Sequence, residues 1–554
     1  MKFSSKTLSQ TLVKLCSDKD IEHIIISPGS RNAPLTIGFT EYNHFNNYSI
    51  IDERCAGFFA LGIAQQIKKP VVLVCTSGSA MLNYYPAIAE AFYSDIPLVV
   101  ITADRPAAYI DIGDGQTIRQ ENAFANHILY SANCKEGEGF QAENEVKINT
   151  ALNTAFEQKG PVHINVPFSE PLYLTVEKPN VFPVNTPPKS ISEFEESILP
   201  FADLWNKASK KMILVGVLTP GSIEEKFVKA LAEDQSVLVL TETTSNLQHP
   251  NFIPAIDQLI APLDDEGFKK LQPEILLTFG GMVVSKKIKA FLRTYSPKFH
   301  WHVDNKKAYD TYFALNHHFK TSINSFFHKF LSLTNNLNSN YRPYWHSVKE
   351  YRLQKHSEYE SQITFSDFKV FSEIFRSIPQ LTHLQLSNSA TIRYAQLFEQ
   401  HPSTEIFCNR GTSGIDGSTS TAIGAATVSR KPTVFITGDL SFFYDSNALW
   451  NNYIPNDFKI IVVNNGGGGI FRILPGDKNS DNFSTYFETN HKLSARQLCD
   501  MYGFQYKTAN DEDTLKKQLS AFFECHEHGP SLLEIFTPSN INDKVLLNYF
   551  KTLL

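Results

Sequence analysis

Short apolar, β-branched runs recur through the whole 554-residue chain, each closed by turn or polar residues and followed by a helix-length segment. A run that is apolar on both faces has no side to offer water, so such strands belong in parallel sheets with helices on both faces. A first series is HIIIS (23–27), VVLVCTSG (71–78), PLVVITAD (97–104) and VHINVP (162–167). A second is KMILVGV (211–217), SVLVLTE (236–242), EILLTFGG (274–281) and FHWHVD (299–304). The third is THLQLSNS (382–389), TEIFCNRG (404–411), TVFITGDL (433–440), KIIVVNNG (459–466) and SLLEIF (531–536). The Pro-rich stretch 170–190 reads as an extended linker, and the Asn-rich stretch 333–343, followed by a charged helical segment, closes the second series. The expectation is α/β: three consecutive doubly wound domains with mainly parallel sheets, over residues 1–180, 190–335 and 355–554.

A net charge of −6 argues against a duplex nucleic acid partner, which needs a basic face, so any anion site must be a local cluster of cations. The 7 Cys are scattered and form no C-x-x-C pair, which fits reduced thiols. The N-terminal residues alternate at helical spacing with no apolar signal core, and the longest apolar runs fall far short of the roughly 20 residues that span a bilayer. The reading is a cytoplasmic protein without membrane contact.

In open parallel sheets ligands sit beyond the carboxyl ends of strands. There the chain places VVNNGGGGIF (462–471), a loop rich in exposed backbone, with amide oxygens suited to a hard cation. No Gly-Lys-Ser/Thr follows, which excludes a Walker-type loop. Asp439 ends the strand TVFITGD, and Asn465 follows 26 residues later, about the length of one crossover, here through a helix over 445–453. Asp439, the Asn465 amide and the Gly467 carbonyl would give Mg²⁺ or Mn²⁺ three protein ligands and leave room for phosphate oxygens.

That pairing of Gly-Asp with Asn-Asn resembles the motif of the thiamine diphosphate-dependent enzyme superfamily, with Leu440 standing where Gly is usual. The resemblance implies thiamine diphosphate as cofactor and a Glu in the first domain that keeps the aminopyrimidine ring protonated; SIIDERCAGFFALGIAQQI supplies Glu53. It further implies Ile415, beside Gly414, as the apolar wedge beneath the cofactor, with Leu440, Ile470, Phe471 and Leu474 walling the site.

Four strand-end loops carry Arg: SPGSRNAPL (27–35), TADRP (102–106), LSNSATIR (386–393) and NRGTSG (409–414). Several Arg converging on one pocket imply a substrate with more than one carboxylate. With DER-x-AGF, GDLS-x-x-YD and NN-x-GG-x-IF, these loops are similar to the menaquinone-pathway branch of the superfamily. Its members decarboxylate 2-oxoglutarate and add the succinyl carbanion 1,4 to isochorismate. The resemblance places Ser30, Arg31, Arg105, Gln116, Lys286, Ser389, Arg393, Arg410, Phe471 and Leu474 around the substrates, with Arg393 and Arg410 at the 2-oxoglutarate end and Arg31 and Arg105 nearer isochorismate. It implies a homodimer, possibly a homotetramer, in which the first domain of one chain faces the third of another, and a central Rossmann-like domain without flavin. Two positions depart from the branch pattern: Gly115 stands for Asn, and Lys287 for Arg. Acetohydroxyacid synthases or 2-oxoacid decarboxylases of the superfamily, and a non-catalytic relative, are the rival readings.

Overall fold

The computed structural model describes residues 2–189, 196–473, 478–524 and 529–554. Its strands run, in the first part of the chain, β1 (Phe3–Ser4), β2 (His23–Ile26), β3 (Asn46–Ser49), β4 (Val71–Cys75), β5 (Leu98–Asp104), β6 (Ser131–Asn133), β7 (Val162–Pro167) and β8 (Thr175–Val176). Next come β9 (Lys211–Val215), β10 (Val237–Leu240), β11 (Ile275–Phe279), β12 (Phe299–Val303) and β13 (Leu315–Phe319). The last are β14 (His383–Leu386), β15 (Glu405–Cys408), β16 (Thr433–Gly438), β17 (Lys459–Asn464), β18 (Gln505–Ala509) and β19 (Ser531–Phe536).

Three parallel sheets result, ordered β3-β2-β4-β5-β7-β6, β10-β9-β11-β12-β13 and β15-β14-β16-β17-β19-β18. Their central strands are buried on both faces: every residue of β2, β4, β5, β9 and β11 is buried. Apolar residues with no wet side leave no other arrangement. Within the 170–190 stretch, β8 turns back to pair antiparallel with β1, so that connection is stapled to the first domain. The 20-residue helix Tyr341–Glu360 follows the central sheet.

Two helices join the first and third domains within the chain. Helix Glu53–Ile67 packs against helix Ser418–Val428 so closely that a Cβ on Gly62 would lie 2.1 Å from the Thr421 carbonyl oxygen, and one on Gly424 2.1 Å from that of Phe59. Around this seam the Tyr453 hydroxyl accepts from Ser49 N at 2.9 Å, Asn447 Nδ2 donates to Asp52 at 2.8 Å, and Arg54 donates to the Tyr444 carbonyl at 3.0 Å.

Candidate active site

β16 and β17 run parallel with Gly438 opposite Val463, so the two chain segments leave the same sheet edge side by side. The crossover differs from the expected helix over 445–453. A short helix, Asp439–Tyr444, begins at once, and a 3-10 turn, Ser446–Leu449, follows. The reason is Asp439 itself, a first-turn acid whose Oδ1 accepts from Leu440 N at 2.7 Å.

Asp439 is 3% exposed, and its Oδ2 accepts from Gly466 N at 2.9 Å and Gly467 N at 3.0 Å. Gly467 adopts φ +153°, and a Cβ there would meet the Glu488 carbonyl oxygen at 2.6 Å, so only glycine lets the loop fold back this far. Its carbonyl accepts from Gly469 N at 3.0 Å and keeps a second lone pair. Asn465 donates through Nδ2 to Asp367 Oδ2 at 2.9 Å, while its Oδ1 is buried with no hydrogen-bond partner among the described residues. A buried orphan acceptor directly before two glycines that bond a buried carboxylate fits a hard cation, since Asp439, Asn465 and the Gly467 carbonyl all offer oxygen. His491 reaches this place too, its Nε2 3.3 Å from Asp439 Oδ2, and the carboxylate holds its imidazole above the ordinary range.

In the first domain Asp52 caps helix Glu53–Ile67, accepting from Arg54 N at 3.0 Å and Cys55 N at 3.3 Å. The capping role thus falls to Asp52 and leaves Glu53 half-buried and free of it. Burial pushes the Glu53 carboxyl up, opposed by a backbone hydrogen bond and aided by Asp52.

The arginines gather as two pairs. Arg31 is buried; its Nη1 donates to the Phe168 carbonyl at 2.8 Å and its Nη2 lies 3.2 Å from Glu170. Burial, then the neighbouring Arg105 charge, lowers its pKa. Arg105 donates to the Gly115 carbonyl at 3.1 Å, which ties it to the loop bearing exposed Gln116. Ser30, beside Arg31, is exposed. In the third domain burial and the Arg410 charge lower the Arg393 pKa, so these two are neighbours as well. Arg410 Nη1 donates to Asn388 Oδ1 at 2.7 Å, and its buried Nε has no partner among the described residues. Ser389 sits at φ +65°, which turns the chain sharply into helix Ala390–Ala395 carrying Arg393.

The remaining expected residues fall as follows. Gly414 gives its carbonyl to Asn388 Nδ2 at 2.7 Å, and Ile415, 37% exposed, gives its carbonyl to Ser441 Oγ at 2.7 Å. Ile470 and Phe471 lie in a 3-10 turn, Gly469–Ile473, with the Phe471 ring edge-on to Phe487. Leu474 lies outside the described residues. Lys286 opens helix Lys286–Thr294 and is exposed, whereas Lys287 lies over the Phe550 ring.

Four polar residues that sequence reasoning missed hold these parts in place. Asn388 joins Arg410 to the carbonyls of Asn409 and Gly414. Glu90, 1% exposed in the first domain, accepts from Gly411 N at 2.7 Å and Thr412 N at 2.6 Å and so fixes the Arg410 loop of the third. Glu242 accepts from Val284 N and Ser285 N, both at 2.7 Å, just before Lys286; burial pushes its carboxyl up to about 7. Asp367 accepts from Asn465 and, at 2.5 Å, from Thr537 Oγ1; burial pushes its carboxyl up to about 6. Asn388, inside LSNS, and Glu242, at the end of SVLVLTE, lay within stretches already singled out, though neither as a site residue.

Residues 6–128 match the thiamine pyrophosphate enzyme N-terminal TPP binding domain, residues 190–386 the middle domain of thiamine pyrophosphate enzymes, and residues 389–535 the C-terminal TPP binding domain. Proteins named 2-succinyl-5-enolpyruvyl-6-hydroxy-3-cyclohexene-1-carboxylate synthase are similar over the full length. That of Flavobacterium psychrophilum is 58% identical over 99% of this chain and 98% of its own. That of Christiangramia forsetii is 58% identical over 99% of both chains. That of Porphyromonas gingivalis is 38% identical over 99% of this chain and 97% of its own.

Proposed function

The chain belongs to the thiamine pyrophosphate-dependent 2-succinyl-5-enolpyruvyl-6-hydroxy-3-cyclohexene-1-carboxylate synthases, and from that premise we propose how its residues share the reaction. The enzyme is a transferase of menaquinone biosynthesis: it decarboxylates 2-oxoglutarate and adds the remaining succinyl unit 1,4 to isochorismate. When bound, thiamine diphosphate supplies the electron sink that decarboxylation of a 2-oxo acid needs. The chain's own task is to hold, protonate and shield.

Asp439, Asn465 Oδ1 and the Gly467 carbonyl would hold Mg²⁺ or Mn²⁺, and through it a diphosphate. The observation that carries this is the buried, partnerless Asn465 Oδ1, directly before the two glycines whose N–H groups bond Asp439. Glu53, with its raised carboxyl pKa, would keep a proton at its oxygen and share it with a ring nitrogen of the pyrimidine. Ile415, Leu440, Ile470 and Phe471 would exclude water. Arg393 and Arg410 would take the carboxylates of 2-oxoglutarate, and Arg31 with Arg105 those of isochorismate, because within each pair the two like charges, only partly offset by nearby acids, would gain by admitting an anion. Ser30, Gln116 and Ser389 would add neutral hydrogen bonds, and exposed Lys286 a mobile cation. The working unit is a cytoplasmic homodimer, or a tetramer built from two, with small molecules as its only substrates. No described helix is long and apolar enough to cross a membrane.

The decisive experiment supplies purified protein with thiamine diphosphate, Mg²⁺, 2-oxoglutarate and isochorismate, and follows loss of isochorismate absorbance. Consumption that requires all four components is expected. Equal turnover with pyruvate in place of 2-oxoglutarate would reject the arginine assignment.

A further inference from the structure

We propose that Asp367 is a positioning residue: it fixes which end of the Asn465 side-chain amide faces the cation site and so sets the metal affinity. The inference rests on the reading above that Asn465 Oδ1 is a ligand.

An amide's two ends have nearly the same shape and opposite polarity, so shape alone does not decide whether oxygen or NH₂ points at the ion. A partner of one polarity decides it. A carboxylate only accepts, and Asp367 Oδ2 accepts from Asn465 Nδ2 at 2.9 Å. A flipped amide would set oxygen against carboxylate oxygen and turn NH₂ toward the cation, which is unfavourable at both ends.

Asp367 is itself held on several sides. Its Oδ1 accepts from Thr537 Oγ1 at 2.5 Å, its N donates to Asn542 Oδ1 at 2.9 Å, and it is 3% exposed in the first turn of helix Asp367–Ser377. Thr537 N in turn donates to the Asn464 carbonyl at 3.0 Å, so the chain that anchors Asp367 also grips the residue before Asn465. The same contact explains an amide at position 465. An Asp there would bring two carboxylates to the 2.9 Å separation that Asn465 and Asp367 now keep. Partners one step removed from a metal ligand typically change metal affinity by about 10–100-fold when altered.

Mn²⁺ affinity is measured by titration of the free-ion paramagnetic resonance signal with thiamine diphosphate saturating, for wild type, Asp367→Asn, Asn465→Ala and the double variant. Asp367→Asn is expected to weaken Mn²⁺ by about 10–100-fold, and to add nothing on the Asn465→Ala background, because it acts only through that amide. The reversed pair, Asp367→Asn with Asn465→Asp, restores a donor facing an acceptor and should bind Mn²⁺ more tightly than Asn465→Asp alone. An Asp367→Asn effect within about twofold of wild type, or one that persists undiminished beside Asn465→Ala, overturns the proposal. Should Asp367→Asn fail to fold, the reversed pair decides: affinity no better than that of Asn465→Asp overturns it. Wild type that takes up no Mn²⁺, or Asn465→Ala that binds as wild type does, would instead sink the underlying ligand assignment.

Discussion

A carboxyl in the first turn of a helix is ordinarily held down by the helix dipole. Glu53 departs from that because burial outweighs the backbone hydrogen bond, while Asp52 takes the cap and adds its own negative charge. A group so placed keeps its proton to higher pH than a surface Glu. Glu53→Gln keeps the shape and removes the exchangeable proton; kcat should fall on the order of 10²–10⁴-fold with the thermal midpoint unchanged, as turnover and calorimetric unfolding would show. Arg410→Lys tests recognition: the fork that reaches Asn388 becomes a point charge, so KM for 2-oxoglutarate should rise about 10–100-fold while thiamine diphosphate affinity by fluorescence quenching stays put. Asp439, Asn465 and the four arginines drew notice because each sits in a short strand-end motif whose polarity is out of place locally, whereas Glu53, an ordinary first-turn acid where it stands, was pointed to by the resemblance alone. Asp367 and Glu90 could not be read from the chain. Their partners lie 98 and 321 residues away, and a lone acid in a helix gives no local sign of whom it will meet.

At the level of elements, every apolar run singled out in the sequence became a strand, and in the three parallel sheets the strands that escaped notice share one position. β3, β6, β13 and β18 are all sheet edges. An edge strand is covered on fewer sides, so its residues need not be apolar: β3 is Asn-Asn-Tyr-Ser and β18 is Gln-Tyr-Lys-Thr-Ala. The crossover after Asp439 differs for another reason: residues 445–453 carry helical spacing, but the helix begins at Asp439, whose carboxylate accepts from Leu440, Gly466 and Gly467 N. The small residues of helices Glu53–Ile67 and Ser418–Val428 let the two approach closely, a pairing between distant segments that neither announces by itself. Gly424→Ala should push that pair apart, because the new methyl would lie 2.1 Å from the Phe59 carbonyl oxygen. A loss of about 1–3 kcal/mol is expected, read as a lowered thermal midpoint.

The molecule as a whole poses a question of pairing. Glu53 stands on the first domain and Asp439 on the third, and in the proposed assignment both address one cofactor. Within the chain, the tip of helix Glu53–Ile67 is already engaged: Asp52 holds Asn447, Arg54 holds the Tyr444 carbonyl, and Cys55 lies against Asp445. Large apolar side chains near these tips nevertheless remain bare, Ile51 at 49% and Trp450 at 50% exposure among them, as expected of surfaces a second copy would cover. If Glu53 of one chain serves the cofactor held by Asp439 of another, two dead enzymes can mend each other. In a mixed dimer of Glu53→Gln and Asp439→Ala chains, one site carries both defects and the other carries neither. Random reassortment makes half the dimers mixed, each with half its sites whole, so activity should recover to about a quarter of wild type from two parents that have almost none. The measurement is turnover after co-denaturation and refolding of equal amounts, beside each parent treated alone. Recovery no greater than the parents' sum would place Glu53 and Asp439 of one chain at the same cofactor, and the dimer would lose its catalytic reason.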